Sequence, residues 1–305
     1  MRYDLICILG HTAGGKTSIA ANLANILGGE IISADSRQVY KYMDIGTGKD
    51  LDEYIVNGNA IPYHLIDIVE PGTKYNIFEY TRDFKSVFDR IDKDKQQVIM
   101  CGGSGLYIES VLENFQLLKV PVNNELRNSL QNKTLAELEQ ILLKKKKLHN
   151  KTDTDTKKRA IRAIEIADYY ENSSESFSKS TKLNSIVFGI SYNRELRRKR
   201  ITERLYERLN EGLIEEAIKL HDMGLSYEDM EYYGLEYKYL SLFLQNKLTK
   251  IEMIEQLNIA IHQFAKRQMT WFRKMERNGR EIHWIDGGLS LQEKLSYIQK
   301  ILQHA

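Results

Sequence analysis

Residues Gly10-His11-Thr12-Ala13-Gly14-Gly15-Lys16-Thr17 follow the apolar run Leu5 to Leu9 and precede a periodic apolar segment that begins at Ile19. The spacing GxxxxGK[ST] between strand and helix turns successive backbone N–H groups inward, while Lys16 adds a mobile positive charge and Thr17 a hydroxyl suited to Mg²⁺. Gly10, Thr12, Ala13, Gly14, Gly15, Lys16 and Thr17 are thus the expected diphosphate-binding residues, and Thr17 is the expected metal ligand. The chemistry is the gripping of a di- or triphosphate. Such a P-loop does not say whether the bound compound is hydrolysed, transferred or displaced.

Asp35 ends a second apolar run, Glu30 to Ala34, and opens Asp35-Ser36-Arg37-Gln38. Open α/β sheets bind ligands at the carboxyl ends of their strands, so Asp35 is expected beside the phosphate site as a base or a metal-side ligand, with Ser36 and Gln38 presenting hydrogen-bonding groups. A helix cap or turn residue is the plainer alternative. The run that ends in Gly102-Gly103-Ser104-Gly105 lacks the acid that many P-loop ATPases carry there to orient Mg²⁺ and water. Backbone and the Ser104 hydroxyl would line the cleft, favouring close approach of a bulky second substrate over hydrolysis, unless the glycines only make a tight turn.

Cations recur at helical spacing in three places. Lys158 and Arg162 share one face of the segment Lys157 to Glu165; Arg197, Arg200, Arg204 and Arg208 repeat along Arg194 to Arg208; and Lys266, Arg273 and Arg277 form a stripe in a C-terminal segment where Phe264, Trp271 and Met275 supply an apolar face. Guanidinium groups hold phosphate oxygens through paired hydrogen bonds, and basic helices seated by an apolar face suit nucleic acid. A solvated helix face is the alternative for the arginine-rich run.

The elements that must position these residues alternate. Leu5 to Leu9, Glu30 to Ala34, His64 to Val69, Val98 to Cys101 and Ser185 to Ser191 read as strands, and helical patterns such as Ile19, Leu23 and Ile26 lie between several of them. The expected fold is α/β, a P-loop-containing doubly wound parallel sheet with a mainly helical insertion and C-terminal helices. Its expected divisions are a first core part at 1–120, an insertion at 121–184 containing the Lys144 to Lys147 run and the polar stretch Asn172 to Ser180, and core completion with basic helices at 185–305. One long pattern carries Leu196, Leu205, Leu209 and Leu220, and another Ile251, Ile254, Leu257, Ile261 and Phe264. At 305 residues with 42% hydrophobic and 28% charged side chains, the composition excludes wholesale disorder and a disulfide scaffold. Cys7 and Cys101 lie inside apolar runs and read as core residues. No membrane span or signal peptide is legible, so a cytoplasmic monomer is expected.

The segments GHTAGGKT, SADSRQVYKYMDIGTGK, HLIDIVEP, GGSGLYI, KRAIRAIE, RELRRKRITERL and QFAKRQMTWFRK occur in the order seen in the tRNA dimethylallyltransferases, the isopentenyltransferase family, which the chain resembles from residue 4 to about residue 285. The resemblance implies transfer of a dimethylallyl group from its diphosphate to the N6 amine of the adenosine 3′ to the tRNA anticodon, with release of diphosphate. It implies Asp35 as the base, Thr17 and Arg200 as further catalytic residues, Mg²⁺ as cofactor, and tRNA and dimethylallyl diphosphate as partners. It also places Asp35, Ser36, Arg37, Gln38, Ser104, Lys158, Arg159, Arg162, Lys266, Arg267, Gln268, Trp271 and Arg273 along the tRNA path. The chain departs from the family pattern at His11 in place of Pro, Gly14 in place of Ser, Tyr42 in place of Gly, and Tyr233-Gly234-Leu235-Glu236 where a cation is usual. The rival readings are prenyl transfer to free AMP, ADP or ATP, a P-loop small-molecule kinase, and an RNA-binding module with a relic P-loop.

Overall fold

The computed structural model describes residues 3–145, 154–173 and 182–304. In chain order its elements are β1 (Leu5–Gly10), α1 (Lys16–Leu27), β2 (Gly29–Ser33), β3 (Ile55–Val56), β4 (Asn59–Ala60), β5 (Tyr63–His64), α2 (Ile77–Lys93), β6 (Gln97–Gly102) and α3 (Gly105–Leu112). There follow α4 (Asn124–Leu130), α5 (Leu135–Lys145), α6 (Lys157–Asn172), β7 (Ser185–Ser191), α7 (Arg194–Asn210), α8 (Leu213–Asp222), α9 (Tyr227–Met230), α10 (Leu235–Leu244), α11 (Lys250–Arg277), β8 (His283–Asp286) and α12 (Leu291–His304). The chain forms two compact units, one of Met1–Asn114 with Thr181–Ala305 and a second of Phe115–Ser180.

The first unit is built on a sheet of order β5-β2-β6-β1-β7-β8 among the described residues. All its pairings are parallel. Apolar side chains on both faces of a strand must be covered on both sides, which is why β1, β6 and β7 read as continuous runs without alternation. Leu5, Cys7 and Leu9 of β1 join one core with Phe84, Tyr107 and Phe272, whereas Ile6 and Ile8 join another with Ile19, Leu23, Leu295 and Ile298. Helices α1 and α12 thus cover one face, and α2, α3 and α11 cover the other. This is the doubly wound α/β architecture. No helix is long and apolar enough to cross a membrane among the described residues.

Several local expectations change. Of the run His64 to Val69 only His64 lies in a strand, β5, and Val69 makes an isolated bridge to Tyr40; Leu65 and Asp67 take φ of 61° and 55°, so the chain turns there. The pattern from Leu196 to Leu220 is two helices, α7 and α8, parted at Gly212, whose φ is 104°. Ile26 is 46% and Ile251 71% exposed, so neither belongs to the stripe assigned to it. The buried face of α11 instead runs through Met253, Leu257, Ile261, Ala265, Met269 and Phe272. Strand β8 extends the sheet beyond β7 through the short segment His283-Trp284-Ile285-Asp286, which has too few residues for a periodic signal. Cys7 and Cys101 are both buried and free.

Helices α4, α5 and α6 make up the second unit around Leu130, Leu138, Leu142, Ala160 and Ile164. The sequence predicts its helical character from helix formers and the loss of strand signals. Lys146 and Lys147 of the basic run, and 174–180 of the polar stretch, lie outside the described residues. The polar centre is Glu165, 2% exposed, which accepts from Arg127 Nε and Nη2 at 2.9 and 2.8 Å, from Asn123 N–H at 2.6 Å, and from Arg162. Burial alone would raise its pKa, but these donors hold it below the usual carboxylate value. The contribution is therefore present above the ordinary carboxylate pKa and is lost as the pH falls. Glu165→Ala leaves two arginines unpaired but able to reach water, and is expected to cost roughly 2 kcal/mol in urea unfolding; an unchanged midpoint would remove Glu165 from this role.

Candidate functional site

The P-loop is shaped by its backbone. Ala13 (φ 57°) and Gly15 (φ 67°) take left-handed conformations on either side of Gly14, the alternation that turns N–H groups toward one concavity. Gly15 is also the residue from which α1 starts, so the amino-terminal helix dipole adds to the same anion site. Three side chains brace the loop. Lys16 Nζ donates to His11 O at 2.8 Å, Arg200 Nε of α7 donates to Ala13 O at 3.1 Å, and Gln268 Oε1 of α11 accepts from Thr12 N–H at 2.9 Å. The Arg200 guanidinium also lies 5.0 Å over the Tyr192 ring. Burial lowers the Lys16 pKa, while Cys101, Asp35 and Asp50 act in the opposite direction. Asp35 is thus within electrostatic reach of the loop lysine.

Asp35 stands at the carboxyl end of β2 in a tight network. Its Oδ1 accepts from Arg37 N–H at 2.9 Å and its own N–H donates to Ser33 Oγ at 3.3 Å. One oxygen thus caps the turn, as the plainer reading expects, and in doing so fixes the orientation of the carboxylate. Ser104 Oγ accepts from Ser36 N–H at 2.9 Å and meets the Ser36 hydroxyl at 3.2 Å, tying this turn to the end of β6. Gln38 receives the Ser33 hydroxyl and donates to Gly48 O, both at 2.9 Å.

The glycines at and just after the end of β6 are crowded by the chain itself. A Cβ on Gly102 would lie 2.3 Å from Ala34 O, one on Gly103 2.5 Å from Gln268 Nε2, and one on Gly105 2.5 Å from Trp271 Cδ1. Their bareness admits the neighbouring turn and α11. Gln268, expected along the tRNA path, is instead 6% exposed and donates to Gly103 O at 2.9 Å, so both ends of its amide are used within the chain. Gln38 and Ser104 are likewise engaged, and Arg162 binds Glu165 and the carbonyl of Val120. Phe264, expected on the apolar face of α11, is 38% exposed, with Arg267 5.9 Å over its ring. Trp271 packs on Gly105 with Lys274 5.0 Å over its ring. Lys266, Arg267 and Arg273 lie exposed on the outer side of α11, and Lys158 and Arg159 on α6. Arg159 pairs with Asp155 at 2.7 Å.

Residues without a legible motif hold the loop that follows Asp35. Lys49, 1% exposed, donates to Tyr40 O at 2.8 Å, to Asp44 at 2.6 Å and to Asp67. Glu216 of α8 accepts from the N–H groups of Asp44, Ile45 and Gly46 at 2.7, 2.8 and 2.9 Å and from the Tyr237 hydroxyl at 2.7 Å. Tyr42 takes φ 63°, a backbone region that glycine enters far more readily than tyrosine. Arg204 binds Asp50, and Arg208 lies 3.6 Å from the half-buried Glu236, whose pKa is raised by its desolvation. Near Gly234, Arg37 stacks 5.2 Å over the Tyr232 ring. Glu53 lies against Thr17 and the Ser18 N–H, with its pKa raised by burial. A cavity of about 440 Å³ opens on this side of the loop, lined by Gly15, Ser18, Glu53, Tyr192, Arg200 and Lys294.

His11 is fully buried, its Nδ1 2.6 Å from Thr12 O. Burial, with the cations Lys16, Arg197 and Arg200, lowers its pKa to about 4. The ring is thus neutral, and Nδ1 carries the proton because a carbonyl can only accept. The unfolded chain takes up a proton near 6.5, so His11 costs nothing above that pH and subtracts stability as the pH falls from 6.5 toward 4. Between about pH 7 and about pH 5, urea unfolding of the wild type is expected to lose roughly 2 kcal/mol more than His11→Gln. Parallel losses would show that His11 is not the titrating group.

The chain matches the family model described as IPP transferase over residues 38–275. It is 56% identical to tRNA dimethylallyltransferase 2 of Phocaeicola vulgatus, covering 99% of this chain and 98% of that protein. It is 57% identical to tRNA dimethylallyltransferase 1 of Parabacteroides distasonis, with the same coverage of 99% and 98%. Among solved structures it is similar to the full-length tRNA isopentenylpyrophosphate transferase of Bacillus halodurans, with a TM-score of 0.71 and 29% identity over 98% of this chain and 95% of that one. The phosphate loop, the Asp35 turn and the basic outer side of α11 thus occur in a chain that belongs to the IPP transferase family.

Proposed function

We propose that this chain transfers a dimethylallyl group from dimethylallyl diphosphate to the N6 amine of the adenosine 3′ to the tRNA anticodon, releasing diphosphate. One observation carries the reading: relatives named tRNA dimethylallyltransferase match the chain over nearly its whole length, and the phosphate loop and Asp35 sit at the same carboxyl edge of its sheet. The loop N–H groups, Lys16 and Arg200 bind the diphosphate and stabilise the charge that collects on it as the bond from allylic carbon to oxygen breaks. The N6 lone pair forms the new carbon–nitrogen bond, and the N6 proton passes to Asp35. Diphosphate leaves with the bond electrons.

Oxygen donors suit a hard cation here. Thr17 offers a hydroxyl with Glu53 beside it, and no group of three or more His, Cys, Asp or Glu gathers elsewhere among the described residues. These residues fit an ion that takes few protein ligands and completes its shell with phosphate oxygens and water, as Mg²⁺ does. Mg²⁺ held by Thr17 and the diphosphate supplies additional charge neutralisation when bound.

The RNA contacts proposed from each unit are the exposed cations Lys266, Arg267 and Arg273 on α11 and Lys158 and Arg159 on α6, with Ser36 and Arg37 beside Asp35. Extruding the target base from its stack brings N6 to the carboxylate. The reaction is assigned to the cytoplasm.

Asp35→Asn keeps an oxygen for the Arg37 N–H but loses basicity. It is expected to lower kcat for tRNA prenylation by roughly 10²- to 10⁴-fold with little change in tRNA affinity. Wild-type turnover in the variant would eliminate Asp35 as the base, and label from dimethylallyl diphosphate appearing only on free adenine nucleotides would overturn the substrate. Replacing Lys266 and Arg273 with Ala is expected to weaken tRNA binding and reduce its salt dependence by about one ion per cation removed, leaving diphosphate affinity unchanged. Filter binding across a salt series reads this directly, and an unaltered slope would take α11 off the RNA path.

A further inference from the structure

Gln268 is the one side chain seen to join the phosphate loop to the turn after β6 among the described residues. Its Oε1 accepts from Thr12 N–H and its Nε2 donates to Gly103 O, each at 2.9 Å, across sequence separations of 256 and 165 residues. Gln268 is 6% exposed, and its bond to Gly103 O is buried, so removing the side chain leaves that carbonyl without its partner in the interior. Gly103 has no room for a side chain, because a Cβ there would lie 2.5 Å from Nε2. The same turn continues through Ser104 to the Asp35 segment. Gln268 sits on the inner face of α11, one residue beyond the exposed Lys266 and Arg267 and five before Arg273.

We propose that Gln268 is a positioning residue that sets the separation of the phosphate loop and the Gly103 turn, and that through it the placement of the RNA-facing helix α11 governs the geometry of the diphosphate cradle. The inference rests on the prenyl-transfer reading for its kinetic consequence, but not for its effect on anion binding. Glutamine suits the task because one partner is a donor and the other an acceptor, and a carboxamide offers both from one planar group. A carboxylate would keep the acceptor toward Thr12, lose the donor toward Gly103, and add negative charge next to the anion site. A leucine of similar size would lose both bonds.

The test compares wild type, Gln268→Leu, Gln268→Glu and Gly103→Ala in three measurements: affinity for inorganic pyrophosphate with Mg²⁺ by calorimetry, affinity for tRNA, and steady-state kinetics of dimethylallyl transfer to tRNA. Each variant is expected to bind tRNA within about threefold of wild type, to bind pyrophosphate about tenfold more weakly, and to lose roughly 30-fold in kcat, because loop displacement misaligns the reacting groups. Gln268→Glu should bind pyrophosphate most weakly of the three. Gly103→Ala acts by evicting the same amide, so combining it with Gln268→Leu should add little to either single loss. This non-additivity separates positioning from general destabilisation, and Gln268→Glu, which keeps one bond, serves if Gln268→Leu does not melt cooperatively. Pyrophosphate affinity and kcat within twofold of wild type in Gln268→Leu and Gln268→Glu would overturn the proposal. So would a loss confined to tRNA affinity, which would make Gln268 an RNA contact. Should wild type prenylate no tRNA, the functional reading fails, while the pyrophosphate titrations still judge Gln268.

Discussion

A diphosphate can be held by backbone only if the backbone is held by something else. The loop from Gly10 to Thr17 has few side chains with which to fix itself, and its left-handed residues Ala13 and Gly15 are conformationally costly or permissive. Its rigidity is imported. Lys16 ties it to itself, Arg200 ties it to α7, and Gln268 ties it to α11. Preorganised N–H dipoles stabilise developing charge because they need not reorient during the reaction, so these braces are part of the chemistry as well as of the fold.

Strand order then decides what meets the cradle. With β6 between β1 and β2, the phosphate loop, the Gly103 turn and the Asp35 turn emerge side by side at one edge of the sheet. The glycines after β6 let these turns close on one another, while Ser104 and Gln268 bridge them. On the β7 side of the loop lies the cavity bounded by Tyr192, Arg200 and Lys294. Both flanks carry charge of either sign: Asp35 with Arg37 on one, and Glu53 with Arg200 and Lys294 on the other.

Charge is balanced locally behind the site. Lys49 would be untenable in the interior without the carboxylates of Asp44 and Asp67 and the Tyr40 carbonyl. Glu216 takes up three successive N–H groups that the turn at Asp44 leaves without strand partners. Together they stabilise the loop after Asp35, including the left-handed Tyr42. In the second unit Glu165 plays the same part for α4 and α6, pairing with Arg127 and Arg162.

Much of the reactive site was legible in the chain because it is local: GxxxxGK[ST] between strand and helix, an Asp directly after a strand, and cations at helical spacing each have their meaning within a few residues. The parallel α/β architecture was legible for the same reason, since strands buried on both faces must be continuously apolar. What lay beyond reach were pairings between distant segments. Nothing near Gln268 announces that its amide will span the phosphate loop and Gly103, and nothing near Glu216 announces the turn at Asp44. Exposure on α11 was misjudged at Phe264 because periodicity gives a face but not its boundaries, which depend on what packs against it. Residue type and spacing determined a phosphate-type loop between strand and helix and a carboxylate at the end of the next strand. Only the tertiary structure decided which polar groups are spent on holding the site together and which stay available for a substrate, because hydrogen-bond partners are assigned by three-dimensional proximity and burial.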